Sequence, residues 1–187
     1  MTLDRMFDAS APPEKPYPGC TAVAGYIGGN TPHEWTLEEW QRFADLRQLP
    51  IWVFGLGGLS ARTQGIEAAS RARALGWKPH AHDRRAIVLD METSEDGAFV
   101  AAFAAAVHQE GYSCWPYGSR STIYSDPTED GVWVALYDGQ FSMEDLPHAV
   151  AHQVAPNVPW DATAVDLSVI SAGALHHLGR GPRHHVA

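Results

Sequence analysis

Two carboxylates end an apolar run in the stretch RAIVLDMET, residues 85–93, where Asp90 and Glu92 are separated by one residue. Side chains alternate between the two faces of an extended strand, so both carboxylates are expected on the same face. Neighbouring carboxylates drive their pKa values apart, and cleavage of a glycosidic bond uses a protonated and an ionised member of such a pair. The stretch therefore indicates acid/base chemistry. The alternative is that Asp90 caps the following helix and that Glu92 is a solvated residue just beyond the end of the strand.

Two further acids stand in comparable places. Asp8 ends the apolar start of the first predicted strand, and Asp166 follows two apolar residues in the last one. In a closed barrel the first and last strands are neighbours, and catalytic groups gather at the carboxyl ends of the strands. We therefore expect Asp8 and Asp166 to converge near the central pair.

Aromatic residues at strand ends could supply the flat surfaces on which sugar rings bind. The candidates are Tyr26, Trp52, Tyr117, Trp133 and Tyr137. A tryptophan inside a run such as IWVF or VWVALY is also an ordinary core residue, so both readings of the two tryptophans stay open.

Short apolar runs alternate with helical patterns along the chain, which is typical of β/α units around a largely parallel sheet. About eight strands are predicted, at residues 5–10, 21–29, 49–57, 85–92, 112–119, 132–139, 149–155 and 163–170. Helices are predicted at residues 36–49, where Thr36 and Glu39 form a capping box, at residues 63–75, and at residues 96–111.

After Ile123 the connections become too short for full helices. The pattern predicts an α/β protein: a single TIM-like β/α barrel with helices mainly on its first half, in a (β/α)5β3-like arrangement. The barrel is expected over residues 1–177, and residues 178–187, rich in glycine, proline and histidine, are expected to form a flexible tail.

The bulk composition excludes several classes of partner. A net charge of -9 leaves no basic face for nucleic acid. No segment approaches the roughly 20 apolar residues of a membrane span, and the N-terminus has no apolar run of secretory length, so synthesis in the cytoplasm is expected. The two cysteines, Cys20 and Cys114, are expected as free thiols, although a disulfide between them stays open.

Other motifs predict neither a metal nor a cofactor. His80 and His82 have the spacing of a metal pair but no carboxylate or cysteine at a characteristic distance, so a loop role is expected. The glycine clusters at residues 28–30 and 55–60 lack the lysine of a phosphate-binding loop and are expected to form turns.

The motifs FDAS, VLDMET, WVALYDG and HQV…AVDLSV, in this strand order, resemble the glycoside hydrolase family 25 lysozymes and the related DUF1906 group of glycoside-hydrolase-like domains. The resemblance implies that Glu92 is the general acid and that Asp90 supports the reaction centre. It also implies that Asp8 and Asp166 tune charge and position water or substrate, and that Gln153 contacts the substrate. One departure is the sequence Ala151–His152–Gln153, because the lysozymes commonly carry an aromatic residue before the glutamine.

The resemblance implies a muramidase-like enzyme without a cofactor that cleaves β-1,4 bonds of bacterial cell-wall glycan. Lacking an export signal, such an enzyme would suit a phage, either as a lysis protein or as a component of the virion tail. The alternative from another class is a non-catalytic barrel kept for glycan binding or for virion assembly. Same-face neighbours on one strand are about 6.6 Å apart, which leaves retaining and inverting geometries open.

Overall fold

Eight strands close into a barrel of the TIM type, as the alternation of apolar runs and helical patterns predicted. The computed structural model describes residues 3–79, 84–91, 96–123, 130–140, 142–143, 146 and 148–180. The strands are β1 (Leu3–Asp8), β2 (Ala22–Gly29), β3 (Arg47–Val53), β4 (Ala86–Asp90), β5 (Ser113–Ser119), β6 (Val132–Ala135), β7 (Ala149–Trp160) and β8 (Thr163–Ser171).

Strands β1 to β7 run parallel to their neighbours, whereas β8 runs antiparallel to both β7 and β1. The reversal follows from the short turn at residues 161–162, which joins β7 to β8 as a hairpin. Because β1 to β7 are parallel, they all finish at one end of the barrel. We call this end the carboxyl rim.

Two strands differ most in length from their prediction. Strand β6 ends at Ala135 because Tyr137 adopts a left-handed backbone conformation, with φ of 54°, that an extended strand does not accommodate. Strand β7 continues to Trp160, five residues beyond its predicted end, because its outer half pairs with β8. The β7–β8 hairpin is therefore longer than the apolar pattern indicated.

The helices are α1 (Leu37–Gln41), α2 (Ala61–Ala74), α3 (Gly97–Gln109) and the single turn α4 (Arg120–Ile123). The two long helices lie within two residues of their predicted bounds. They pack closely, since a Cβ on Gly65 of α2 would come within 2.8 Å of the Phe103 carbonyl oxygen of α3. Within the described residues, no helix combines the length and the apolar character that a membrane span requires.

Helix α1 begins as predicted but ends early. The capping box is present, with Thr36 and Glu39 bonded reciprocally, yet the helix stops at Gln41 rather than at Leu49. The predicted continuation is wrong for two reasons. Pro50 disfavours helical geometry in the preceding residue, and the buried Gln48 side chain donates to the backbone carbonyl oxygens of two residues at the end of the helix, Trp40 and Phe43.

Strand alternation sorts the apolar residues into two layers. One set fills the barrel, including Met6, Val88 and Trp115, while the next residue along each strand faces outward. The outward set packs against the helices and includes Phe7 and Leu89. The side of a strand on which a residue lies therefore decides whether it can reach the interior of the barrel.

The end of the barrel opposite the carboxyl rim is closed by the segment that follows β8. Ala174 and Leu178 are buried against the interior layer, and a short strand β9 (Gly179–Arg180) pairs antiparallel with the start of β3. The predicted tail at residues 178–187 is thus wrong in its first three residues, because Leu178 has an apolar place to fill. The remaining seven lie outside the described residues.

Gly25 of β2 offers a test of the outer layer. A Cβ at this position would meet the buried ring of Trp35 at 2.6 Å. We expect Gly25→Ala to lower the free energy of unfolding by about 1–3 kcal/mol through overpacking, as measured by urea denaturation. Gly57→Ala is the control, since nothing lies within 4 Å of its Cβ position. Equal stability of the two variants would contradict the packing of Trp35 against β2.

Candidate functional site

Two of the predicted acids lie at the carboxyl rim. Asp8 is the last residue of β1 and Asp90 the last residue of β4. Each falls in alternation with interior residues of its own strand, Met6 and Val88, so each side chain lies on the inner face. The exposed fractions are only 5% and 6%. Two acids therefore stand above an interior that is otherwise largely apolar.

The third acid joins them through the closure of the barrel. The pairing of β1 with β8 sets Asp166 directly opposite Asp8. Side chains of directly opposed residues in an antiparallel pair lie on the same face with Cβ atoms about 4.5–5.5 Å apart. The barrel thus brings together two carboxylates that are far apart in the sequence.

Both carboxylate oxygens of Asp166 accept hydrogen bonds. The side-chain amide of Gln153 donates to Oδ2 at 2.6 Å, and the backbone N–H of Asn157 donates to Oδ1 at 2.6 Å. Bonds to an ionised acceptor are shorter and stronger than neutral ones. The two donors come from one strand, β7, so the hairpin holds the half-buried carboxylate in a single orientation.

A line of polar side chains continues from Gln153 along the rim. The Tyr117 hydroxyl donates to the side-chain carbonyl oxygen of Gln153, and the Tyr137 hydroxyl lies 3.4 Å from that of Tyr117. We call Tyr137, Tyr117, Gln153 and Asp166 the rim network. Tyr117 and Gln153 are buried, with 6% and 0% exposed, whereas Tyr137 is 45% exposed.

The rim network also reaches the strand that carries Asp90. Asp90 and Tyr117 are partners in the register of β4 with β5. Two backbone bonds fix this point, from the Phe54 N–H to the Asp90 carbonyl oxygen at 3.0 Å and from the Met91 N–H to the Tyr117 carbonyl oxygen at 2.8 Å. The network therefore runs from the neighbour of Asp90 on β5 to the partner of Asp8 on β8.

The predicted aromatic residues lie in different environments. Trp52 faces outward, and its indole N–H donates to Gln64 of α2, so it cannot reach the interior of the barrel. Trp133 does face inward, but it is fully buried beneath the network, with its ring 4.8 Å from that of Tyr117 and its N–H bonded to Ser168. Tyr26 is half-buried on β2. Only the tyrosines retain the places predicted for sugar contacts.

Glu92, the predicted general acid, lies outside the described residues. Two members of the site were missed by the sequence interpretation. Ser168 could have been found, since it stands two positions after Asp166 on the same face of β8. Asn157 could not, because it contributes only its backbone N–H and the pattern ended β7 before it.

Both cysteines hold their protons more tightly than an ordinary thiol. Both are free thiols. Burial, opposed by the nearby charge of Arg5, raises the pKa of Cys20 to about 11, and burial together with the charge of Asp130 raises the pKa of Cys114. Among the residues that the structure describes, no three histidine, cysteine or acidic side chains gather to hold a metal ion. His80 and His82 lie outside this part of the chain.

No sequence family matches the chain, and no curated protein matches it. Several solved structures match its fold. An uncharacterised protein from B. stearothermophilus matches at a TM-score of 0.71 with 15% identity, over 94% of this chain and 100% of the other. The muramidase from Acremonium alcalophilum matches at 0.64 with 12% identity, over 92% and 97%.

The modular autolysin LytC from Streptococcus pneumoniae, solved with a synthetic peptidoglycan ligand, matches at a TM-score of 0.56 with 14% identity, over 90% of this chain and 47% of the autolysin. At such identities the likeness shows the fold alone. The chain therefore shares its barrel fold with the muramidase and with about half of the autolysin.

Asp166 allows the geometry of the rim network to be tested. An asparagine has one acceptor oxygen where the carboxylate has two, so Asp166→Asn must lose one bond. Its side-chain NH2 group would also face one of the two N–H donors, from Gln153 or Asn157. We expect the free energy of unfolding in urea to fall by about 1–3 kcal/mol.

Asp161→Asn is the matched control for this change. Asp161 accepts one bond, from the Glu14 N–H at 3.2 Å, which an amide oxygen can keep. Its φ of 54° is also tolerated by asparagine. An Asp166→Asn variant as stable as Asp161→Asn would contradict the role of Asp166 as a double acceptor.

Proposed function

We propose that this protein is a glycoside hydrolase of the muramidase type that cleaves β-1,4 bonds in bacterial peptidoglycan. The observation that carries the proposal is the gathering of Asp8, Asp90 and Asp166 on the inner face of the barrel at its carboxyl rim. Burying carboxylates is costly without compensating partners, and an ordinary barrel interior is filled by apolar side chains. Three acids at this end support a catalytic use.

The proposed roles divide between donation of a proton and stabilisation of charge. Glu92 is the general acid that protonates the leaving oxygen, and Asp90 supports the positive charge that develops at the sugar carbon or orients the substrate beside it. Asp8 and Asp166 keep the site negative and position water or substrate. Every step uses carboxylates of this chain, so no cofactor enters the proposal.

The rim network supports this division by fixing one acid. Asp166 has both oxygens engaged by donors from β7, so it is held as an acceptor. A general acid must instead carry a proton that it can give away. The proposal therefore assigns Asp166 to charge and positioning and leaves the transfer of the proton to the Asp90–Glu92 stretch.

The experiment is the release of reducing sugar from purified peptidoglycan by the wild type, Glu92→Gln and Asp90→Asn. We expect wild-type cleavage and a loss of roughly 100- to 10,000-fold in kcat for Glu92→Gln, because an amide cannot donate the proton. Asp45→Asn is the control, since Asp45 is exposed in the turn after α1 and should leave the rate unchanged.

A wild type that releases no sugar from several wall types would overturn the proposal. A pull-down on the same peptidoglycan then separates two alternatives. Retention would favour a non-catalytic barrel that binds glycan, and failure to bind would favour a structural module such as a virion component. Full activity of Glu92→Gln would instead overturn the assignment of the acid alone.

A further inference from the structure

His152 is a buried residue that the proposed chemistry does not use. It precedes Gln153 on β7, so its side chain lies on the outer face of the barrel, where it is only 1% exposed. Its Nδ1 atom is 2.7 Å from the backbone carbonyl oxygen of Ser142, in the connection between β6 and β7. A carbonyl oxygen can only accept, so Nδ1 carries the hydrogen.

The other ring nitrogen faces the same connection at a second point. Nε2 of His152 lies 3.5 Å from Oδ1 of Asp138, and it makes no hydrogen bond to the described part of the chain. Asp138 is itself held in place, because its Oδ1 accepts from the Gln140 N–H at 2.8 Å. One imidazole thus contacts the β6–β7 connection both near its start and further along it.

Tyr137 is the residue that these contacts enclose. It is adjacent to Asp138, its φ of 54° is costly for a residue other than glycine, and its N–H donates to the Gln153 carbonyl oxygen at 3.1 Å. Two residues on, the Gly139 N–H donates to the Val154 carbonyl oxygen at 2.9 Å. A strained backbone persists only where its surroundings fix it, and here the two residues of β7 that follow His152 accept bonds from the residues on both sides of Asp138.

We propose that His152 is a positioning residue that holds Tyr137 at the carboxyl rim, through its hydrogen bond to Ser142 and its contact with Asp138, so that the exposed Tyr137 ring contacts a glycan. The role as a glycan contact rests on the proposed function, whereas the mechanical role does not. Tyr137 is both the exposed end of the rim network and the member with the least buried surface to hold it. Its placement therefore relies on its backbone, which is held by the carbonyl oxygens of Gln153 and Val154 and, through Ser142 and Asp138, by the contacts of His152.

The mechanical role is tested by amide hydrogen exchange in the full chain. His152→Leu removes both ring nitrogens, and His152→Asn keeps a donor near the position of Nδ1. We expect the Tyr137 and Gly139 amides to exchange at least tenfold faster in His152→Leu, with most of the protection restored in His152→Asn. The control is His108→Asn, which breaks a comparable contact, to Asp130 at 2.5 Å, at the opposite end of the barrel.

The functional role is tested by kinetics on soluble glycan strands. We expect His152→Leu to raise KM about fivefold or more while kcat stays within about twofold, since Tyr137 is proposed to bind and not to react. Tyr137→Ala should do the same. Because both changes remove one contact, the double variant should resemble either single variant, whereas a merely destabilising His152→Leu would add its effect to that of Tyr137→Ala.

The outcomes separate the two claims. Unchanged exchange at Tyr137 and Gly139 in folded His152→Leu overturns the positioning role, whatever the activity. Should His152→Leu not fold, His152→Met, which also lacks both ring nitrogens, decides in its place by the same exchange criterion. Additive effects on KM, or a fall in kcat alone, overturn the glycan contact. A wild type without turnover makes the proposed function fail, and the exchange result still decides the role of His152.

Discussion

The pairing of β8 with β1 is the contact on which the site depends. Six residue pairs, from Leu3↔Ser171 to Asp8↔Asp166, close the barrel. Closure removes the two free edges of the sheet, and it also brings a carboxylate from near the end of the chain against one near its start. Because β8 runs antiparallel, the carboxylate of Asp166 lies near the beginning of its strand, whereas Asp8 lies at the end of its own.

The same closure explains how the acids are tolerated. An acid within an apolar interior would destabilise the fold unless hydrogen bonds satisfied it. The hairpin provides these bonds for Asp166, since β7 extends beyond the rim and folds back as β8. The extra length of β7 thus has a chemical consequence: it carries the Asn157 N–H to an acid that the sheet alone would leave less well bonded.

Much of the fold could be predicted because strand alternation is a local property. Every predicted strand is present, and the inward side of Asp8 and Asp90 follows from the residues two positions away. The continuation of α1 was wrong because the local helical pattern is overridden by pairing with a strand that is distant in the sequence. The helical pattern of residues 36–49 runs into this segment, but residues 47–50 pair with β2 as part of a strand.

The site was less predictable, because its contacts join residues far apart in the sequence. Trp52 and Tyr117 both stand in apolar runs, and nothing nearby shows that one bonds to a helix outside the barrel while the other bonds to Gln153 within it. The polar partners could be identified only once the register of β5, β6 and β7 was known. The side-chain types predicted the candidate site residues, and the register of the strands determines which of them come together.

The direction of the rim network follows from the acceptor at its end. Both oxygens of Asp166 accept, so Gln153 turns its amide N–H toward Asp166 and its carbonyl oxygen toward Tyr117. Tyr117 then has to donate to Gln153, which leaves its oxygen as the acceptor for the Tyr137 hydroxyl at 3.4 Å.

Every donor in the line therefore points toward Asp166. Hydrogen bonds aligned in one direction polarise one another, so the acceptor oxygen of Asp166 orders donors as far away as the exposed Tyr137. The acid at the barrel closure thus orients the tyrosine hydroxyl at the far end of the network.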